Sequence, residues 1–271
     1  MTKRLTHGFT ISGNYTFSKA LDDGISNQNN AGFFSNSYNT SVQYGPSAYD
    51  RRHVFNTYYQ YDLPAGTGHW LHTGNFADRI LGGWYTSGIF AAWTGLPVKV
   101  SEGSQVWGGG TTVIGATDYM VPTGALPSTG VYHNVSNTTT CSNSVFSGVV
   151  GANGGGASGT NLNLFSNPGA AYCDFNYVQL STSGRTGSAN PMYGIPFWNF
   201  DMRLGKSTRI HERAKLDFSA DFFNIFNHHN FANPSTSFTS PATFGVITST
   251  YTPPNRTNSA RWIELGLRLD F

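Results

Sequence analysis

Charge is scarce in this chain. Only 11% of its 271 residues are Asp, Glu, Lys or Arg, against about a quarter in a typical soluble domain. No run of about 18 apolar residues occurs, which excludes a transmembrane helix. The first residues, Met1 to His7, lead into polar alternation rather than the apolar stretch of a secretory signal. The net charge of +2 is not gathered into a basic patch, so nucleic acid is not an expected partner. There are two cysteines, Cys141 and Cys173, and neither has the neighbours of a metal centre or a reactive thiol. Both fall in one long polar segment, which suits a disulfide in an oxidising compartment. Two unpaired thiols are the alternative.

Aromatic residues, by contrast, make up 15% of the chain. Low charge with many aromatics is natural for a membrane barrel, which needs aromatic girdles and long neutral loops. The C-terminus carries the clearest pattern. Ile263, Leu265, Leu267, Leu269 and Phe271 alternate with Trp262, Glu264, Gly266, Arg268 and Asp270. In a strand these sets point to opposite faces, one apolar and one charged. An alternating strand ending in Phe looks like the assembly signal of bacterial outer-membrane β-barrels, with Leu265, Leu267, Leu269 and Phe271 as its apolar row.

Five further segments read as strands: Leu5–Ser18, Arg51–Leu63, Gly83–Ser101, Ile195–Lys206 and Arg213–Asn227. Several exceed the usual five or six residues of globular strands and suit a tilted membrane crossing of about nine to eleven. The connections 19–50, 64–82, 102–194, 207–212 and 228–259 alternate between longer and shorter. Barrels do this because extracellular loops are long and periplasmic turns short. Segment 102–194 is the largest loop, rich in Gly, Ser, Thr and Asn, and short hairpins are expected inside it.

The polar faces hold the ionisable residues. Asp201, Arg203, Lys215, Asp217, Asp221, Glu264 and Arg268 are expected to face a wet lumen, because an Arg or Lys facing lipid costs about 2–4 kcal/mol at mid-bilayer. Avoiding like charges on opposed positions predicts a pairing that sets Arg203 against Asp217, Met202 against Phe218 and Trp198 against Phe222.

No motif points to catalysis or a cofactor. The Gly-rich run 151–159 lacks the Lys-Ser/Thr of a phosphate loop. His228 and His229 would point to opposite faces of a strand, and neither they nor His211 has a ligand at metal spacing. Asp22-Asp23-Gly24 lacks EF-hand spacing and reads as a strand cap, with a calcium site built from several loops as the other reading. Asp50-Arg51-Arg52-His53 is the densest charge cluster; it reads as a solvated ion pair at a barrel rim, or alternatively as a rim that touches ligand. The chain is not expected to be an enzyme.

Several segments together resemble the barrels of Oar-like TonB-dependent receptors. They are Gly13-Asn-Tyr-Thr-Phe-Ser-Lys-Ala-Leu-Asp-Asp23, Gly45-Pro-Ser-Ala-Tyr-Asp-Arg-Arg-His-Val-Phe55, Gly82-Gly-Trp-Tyr-Thr-Ser-Gly-Ile-Phe90 with Thr94-Gly-Leu-Pro97, Ala220-Asp-Phe-Phe-Asn-Ile-Phe-Asn-His-His-Asn-Phe231 and Leu265-Gly-Leu-Arg-Leu-Asp-Phe271. The resemblance implies an all-β fold: an antiparallel, up-and-down transmembrane barrel segment, about six long strands from the last part of a barrel of about 22. It implies the bacterial outer membrane as location. The bilayer and the barrel-assembly machinery are the implied partners, with an unidentified extracellular ligand. TonB would be engaged only through a plug and N-terminal region that precede residues 1–271. The runner-up is a secreted, soluble β-sandwich that binds carbohydrate.

Overall fold

Alternating side chains favour a strand, and each strand needs neighbours for its backbone N–H and C=O groups. The computed structural model describes residues 2–4, 8–22, 44–66, 71–72, 76–101, 120–133, 140–142, 147–151, 161–176, 191–211, 214–253 and 259–271. Seven strands meet that need in one sheet: β1 (Thr2–Arg4), β2 (Phe9–Phe17), β3 (His53–Asp62), β4 (Trp84–Trp93), β5 (Phe197–His211), β6 (Ala214–Phe223) and β7 (Trp262–Asp270). Their order in the sheet is their order in the chain, and every pairing is antiparallel. The six expected strands are present, and the short β1 is added to them. β1 and β7 are free edges, so this up-and-down sheet is open.

Register aligns like residues in rows across the middle of the sheet. One row runs Ile11, Tyr59, Gly88, Met202, Phe222, Ile263 across six strands, and the next runs Phe9, Tyr61, Thr86, Leu204, Ala220, Leu265. The opposite face carries Thr10, Gln60, Ser87, Arg203, Asp221, Glu264 in a single row. A one-residue slip anywhere would flip a strand's whole apolar set to the polar side. Gly88 serves the apolar row by absence. A Cβ there would come within 2.5 Å of the Tyr59 ring and 3.1 Å of the Phe200 ring. Without one, the two rings stack with centres 6.2 Å apart.

The expected β5–β6 pairing is corrected by four residues. Arg203 faces Asp221 rather than Asp217, and Met202 faces Phe222 rather than Phe218. Phe218 faces Lys206, and Trp198 lies beyond the paired part of β6. The cause is the turn. β5 stays extended through His211, with an irregularity between Arg209 and His211, and β6 begins at Ala214. The hairpin is therefore much tighter than the 207–212 connection expected.

At the hairpin end of the sheet, β3 and β4 are joined by a segment holding helix α1 (Phe76–Leu81). Gly83 ends it at φ +75°, and a Cβ there would lie 2.2 Å from the Ser207 carbonyl oxygen. Only glycine combines that φ with that approach.

The opposite end carries a cap. Among the described residues of 102–194, short strand pairs are nested one inside another, and the innermost is a short hairpin of the kind expected. Pro97–Val98 pairs with Met192–Tyr193, then Val121–Pro122 with Phe175–Asn176, then Tyr132–His133 with Leu162–Asn163, and Thr140–Ser142 with Ser147–Val149 at the tip. Helix α2 (Pro168–Cys173) sits inside the ladder, N-capped by Asn167 Oδ1, which accepts from the Ala170 amide. Among the described residues, the hydrophobic core cluster lies here, between Val98 and Ile195 and at Phe238, Phe244 and Ile247 from the β6–β7 connection. Tyr172 stacks on Phe238 with ring centres 3.9 Å apart and donates its hydroxyl to the Phe238 carbonyl at 2.7 Å. Asn163, buried, donates to the Phe244 carbonyl and accepts from the Phe165 amide. Phe238→Ala should destabilise the cap by about 3–5 kcal/mol. Limited proteolysis should then cut the cap earlier, while the β-sheet signal in circular dichroism is kept.

Candidate functional site

The residues expected to face a lumen do share one face of β5, β6 and β7. Arg203 grips Asp221 with two bonds, Nε to Oδ1 and Nη2 to Oδ2, the second at 2.8 Å. This fork geometry is what guanidinium and carboxylate favour. Asp221 also stands opposite Glu264, and Arg203 offsets that like-charge contact. Lys215 Nζ reaches Asp217 Oδ2 at 2.9 Å, Arg268 Nε reaches Asp270 Oδ1 at 2.7 Å, and Asp217 faces Arg268 across the strands. Asp201 accepts from Asn199 Nδ2 and from the Asn224 amide, both at 2.8 Å. These charges form one field with both signs. The expected apolar row stands on the other side of β7. Leu265 and Leu267 are each 73% exposed, and Leu269 and Phe271 are exposed with them.

Three asparagines missed in the sequence hold the cap end. Asn224 and Asn227 adopt left-handed φ of 51° and 50°, which Asn tolerates better than other side chains. They turn the chain out of β6. Asn224 Nδ2 donates to the carbonyls of His228 and Ser259, and Asn227 Oδ1 accepts from the Arg261 amide, so the start of β7 is fixed to the end of β6. Asn230 pairs its amide with both backbone groups of Trp198, imitating a further strand. The His228 ring stacks on Trp198 at 4.1 Å. The repeated Asn in the 220–231 segment was the available signal.

Lys206 was also missed. It sits on the apolar face, where its ammonium donates to the carbonyls of Ile80 and Gly82 and lies 5.1 Å from the centre of the Trp84 ring. These contacts carry the charge to the hairpin end of the sheet, as a snorkelling side chain does.

The cluster at 50–53 is not a solvated pair. Asp50 is 1% exposed. Its carboxylate accepts from Tyr193 Oη at 2.6 Å, from the Ala20 amide at 2.9 Å and from Arg52 Nε at 2.9 Å. One side chain thus ties the end of β2, the approach to β3 and the closing foot of the cap ladder. Burial pushes the Asp50 carboxyl up, but the bonds from Tyr193, Ala20 and Arg52 outweigh it and hold the pKa below its ordinary value. Burial and the Asp50 contact raise the Tyr193 hydroxyl. Arg51 turns away from Asp50 and lies 5.1 Å from the centre of the Trp93 ring, against a cavity of about 230 Å³ at the junction of cap and sheet.

Cys173, at the end of α2, is disulfide-bonded. The sequence holds one other cysteine, Cys141, whose side chain lies outside the described residues. Asp22 pairs with Gly45 beside the cap, while Asp23 and Gly24, the Gly-rich run 152–159 and the His211 side chain also lie outside the described residues.

An antiparallel meander with a greasy face and an ionic face, and with the core cluster of its described residues outside the sheet, is the wall of a transmembrane β-barrel. A family model described as an outer membrane beta barrel domain matches residues 1–263, and the chain belongs to that family. It is an outer-membrane protein. No curated protein and no solved structure matches it.

The Asp50 contact has a predictable pH response. Because the folded pKa is depressed, its stabilisation is fully present above the ordinary carboxyl value of 3.8 and is lost as pH falls through the lowered folded value. Protease sensitivity of the cap should rise on acidification below about pH 4. Asp50→Asn should raise sensitivity at neutral pH and flatten that acid limb.

Proposed function

We propose that this chain is the C-terminal part of a TonB-dependent receptor barrel of the Oar-like kind, taking up an extracellular ligand in the complete receptor. The apolar face meets lipid, the charged face meets a water-filled lumen, and the cap stands outside the cell. The observation that carries this reading is the unbroken registration of apolar rows from β2 to β7. The segments that resemble the receptor family support it further, since several of them occupy special structural positions: the Gly83 bend, the Asn224–Asn227 turn and the buried Asp50. Under this reading the lumen charges Asp201, Arg203, Lys215, Asp217, Asp221, Glu264 and Arg268 are a passive polar lining, and the chain does no catalysis. The row Leu265, Leu267, Leu269 and Phe271 is presented to the assembly machinery. TonB acts through a plug encoded upstream.

A soluble carbohydrate-binding sandwich would need a second sheet over Leu265 and Leu267, and their 73% exposure disfavours it.

Two measurements test the reading separately. In intact outer membranes, a water-soluble maleimide should label Arg268→Cys and spare Leu267→Cys. Equal labelling of both removes the lipid and lumen assignment. The reading frame immediately upstream of Met1 should encode more barrel and a plug; unrelated DNA there removes the TonB-dependent assignment.

A further inference from the structure

Two arginines stand side by side at the cap end of β3, and only one has a carboxylate. Arg52 is paired with Asp50. Arg51 is half-buried, and among the described residues its guanidinium meets no carboxylate. It donates from Nη1 to the Thr94 carbonyl at 3.3 Å and rests on the Trp93 ring. A guanidinium has five N–H donors, so one such bond leaves it far from satisfied. None of its nitrogens is both buried and unpartnered, so the open donors remain accessible to an anion that enters from solvent.

The surroundings suggest what would complete it. Trp93 and Phe197 are cross-strand neighbours on the polar face and stack with ring centres 3.9 Å apart. Tyr251 stands edge-on to Phe197 at 5.4 Å. With Phe231 and Asn233 these rings and Arg51 line the cavity. Asn233 is fixed in place by accepting from the Ile195 amide at 2.9 Å. Its volume, about 230 Å³, falls below the roughly 300–1,000 Å³ of sites for drug-sized molecules, so it suits one ring. A lone guanidinium fork matches one planar, singly charged group. A phosphate ester would call for a second cation, and among the described residues no other Lys or Arg lines this cavity.

We propose that this cavity binds a carboxylate carried on a single ring, with the carboxylate on Arg51 and the ring against Phe197, Tyr251 and Phe231. A sugar acid or an aromatic acid offers the same chemistry. The inference rests on the receptor reading, which places the cavity at the mouth of the lumen, where a ligand leaving the cap would first meet the wall. The depressed pKa that burial gives Arg51 accords with a charge waiting for its partner.

The test uses outer-membrane vesicles carrying the protein as its host makes it, with vesicles lacking it as the blank. Equilibrium binding is measured for radiolabelled glucuronate and for benzoate, with competition by the methyl ester of each. At least one acid should bind, its ester should compete at least about tenfold less well, and Arg51→Gln should lose about tenfold or more in affinity. Binding of glucuronate alone names the sugar acid, and binding of benzoate alone names the aromatic acid. If neither acid binds, if the ester competes as well as the acid, or if Arg51→Gln binds like the wild type, the proposal is overturned. Should Arg51→Gln fail to reach the membrane, the ester comparison on the wild-type protein decides. The maleimide pattern at positions 267 and 268, taken in the same vesicles, separates a failure of this site from a failure of the barrel assignment.

Discussion

Everything in this molecule depends on strand register. Six long strands are paired so that their mid-sheet apolar rows fall on the same side. A sheet of that kind has no interior of its own. Its greasy side needs an apolar solvent and its ionic side needs water. The bilayer supplies the first, which is why scarce charge and abundant aromatics accompany this fold. Lys206, a cation on the greasy side, is drawn to the hairpin end by backbone carbonyls and Trp84.

The cap follows different physics. It buries Tyr172, Phe165, Phe175, Phe238 and Phe244 almost completely, as a water-soluble domain does. Wall and cap therefore gain stability from different solvents, and polar contacts join them beside the rings of Phe197 and Tyr251: Asp50 with Tyr193 and Asn230 with Trp198. Such contacts fix position rather than supply bulk hydrophobic energy. They set the cap squarely on the end of the sheet, which is where a cavity shared by both can form.

The six long strands, and the charged and apolar faces of β5, β6 and β7, were legible in the sequence, because alternation with period two is a direct record of which side each residue takes. Register was legible only in part. Asp217 and Asp221 lie four residues apart on the same face, so either satisfies Arg203, and charge complementarity cannot choose between them. The turn decides, and residues 207–211 have too little apolar contrast to show that β5 continues through them. The cap was not legible as a structure. Its ladder uses pairs of two or three residues, too short to carry a period. The Asp50–Tyr193 contact joins positions 143 residues apart. The isolation of Arg51 from Asp50 is likewise a fact of side-chain direction, which the run Asp-Arg-Arg-His conceals.

The nested ladder has a bearing on how such proteins diversify. Its two feet, Pro97–Val98 and Met192–Tyr193, are bonded to each other directly above β4 and β5. Closing a longer or shorter excursion between fixed feet changes the entropy only slowly with length. Residues can therefore be gained, lost or replaced toward the tip while the two strands below feel no change in spacing. The architecture separates a part free to vary from a part that must stay constant, and it draws that boundary at a single two-residue rung.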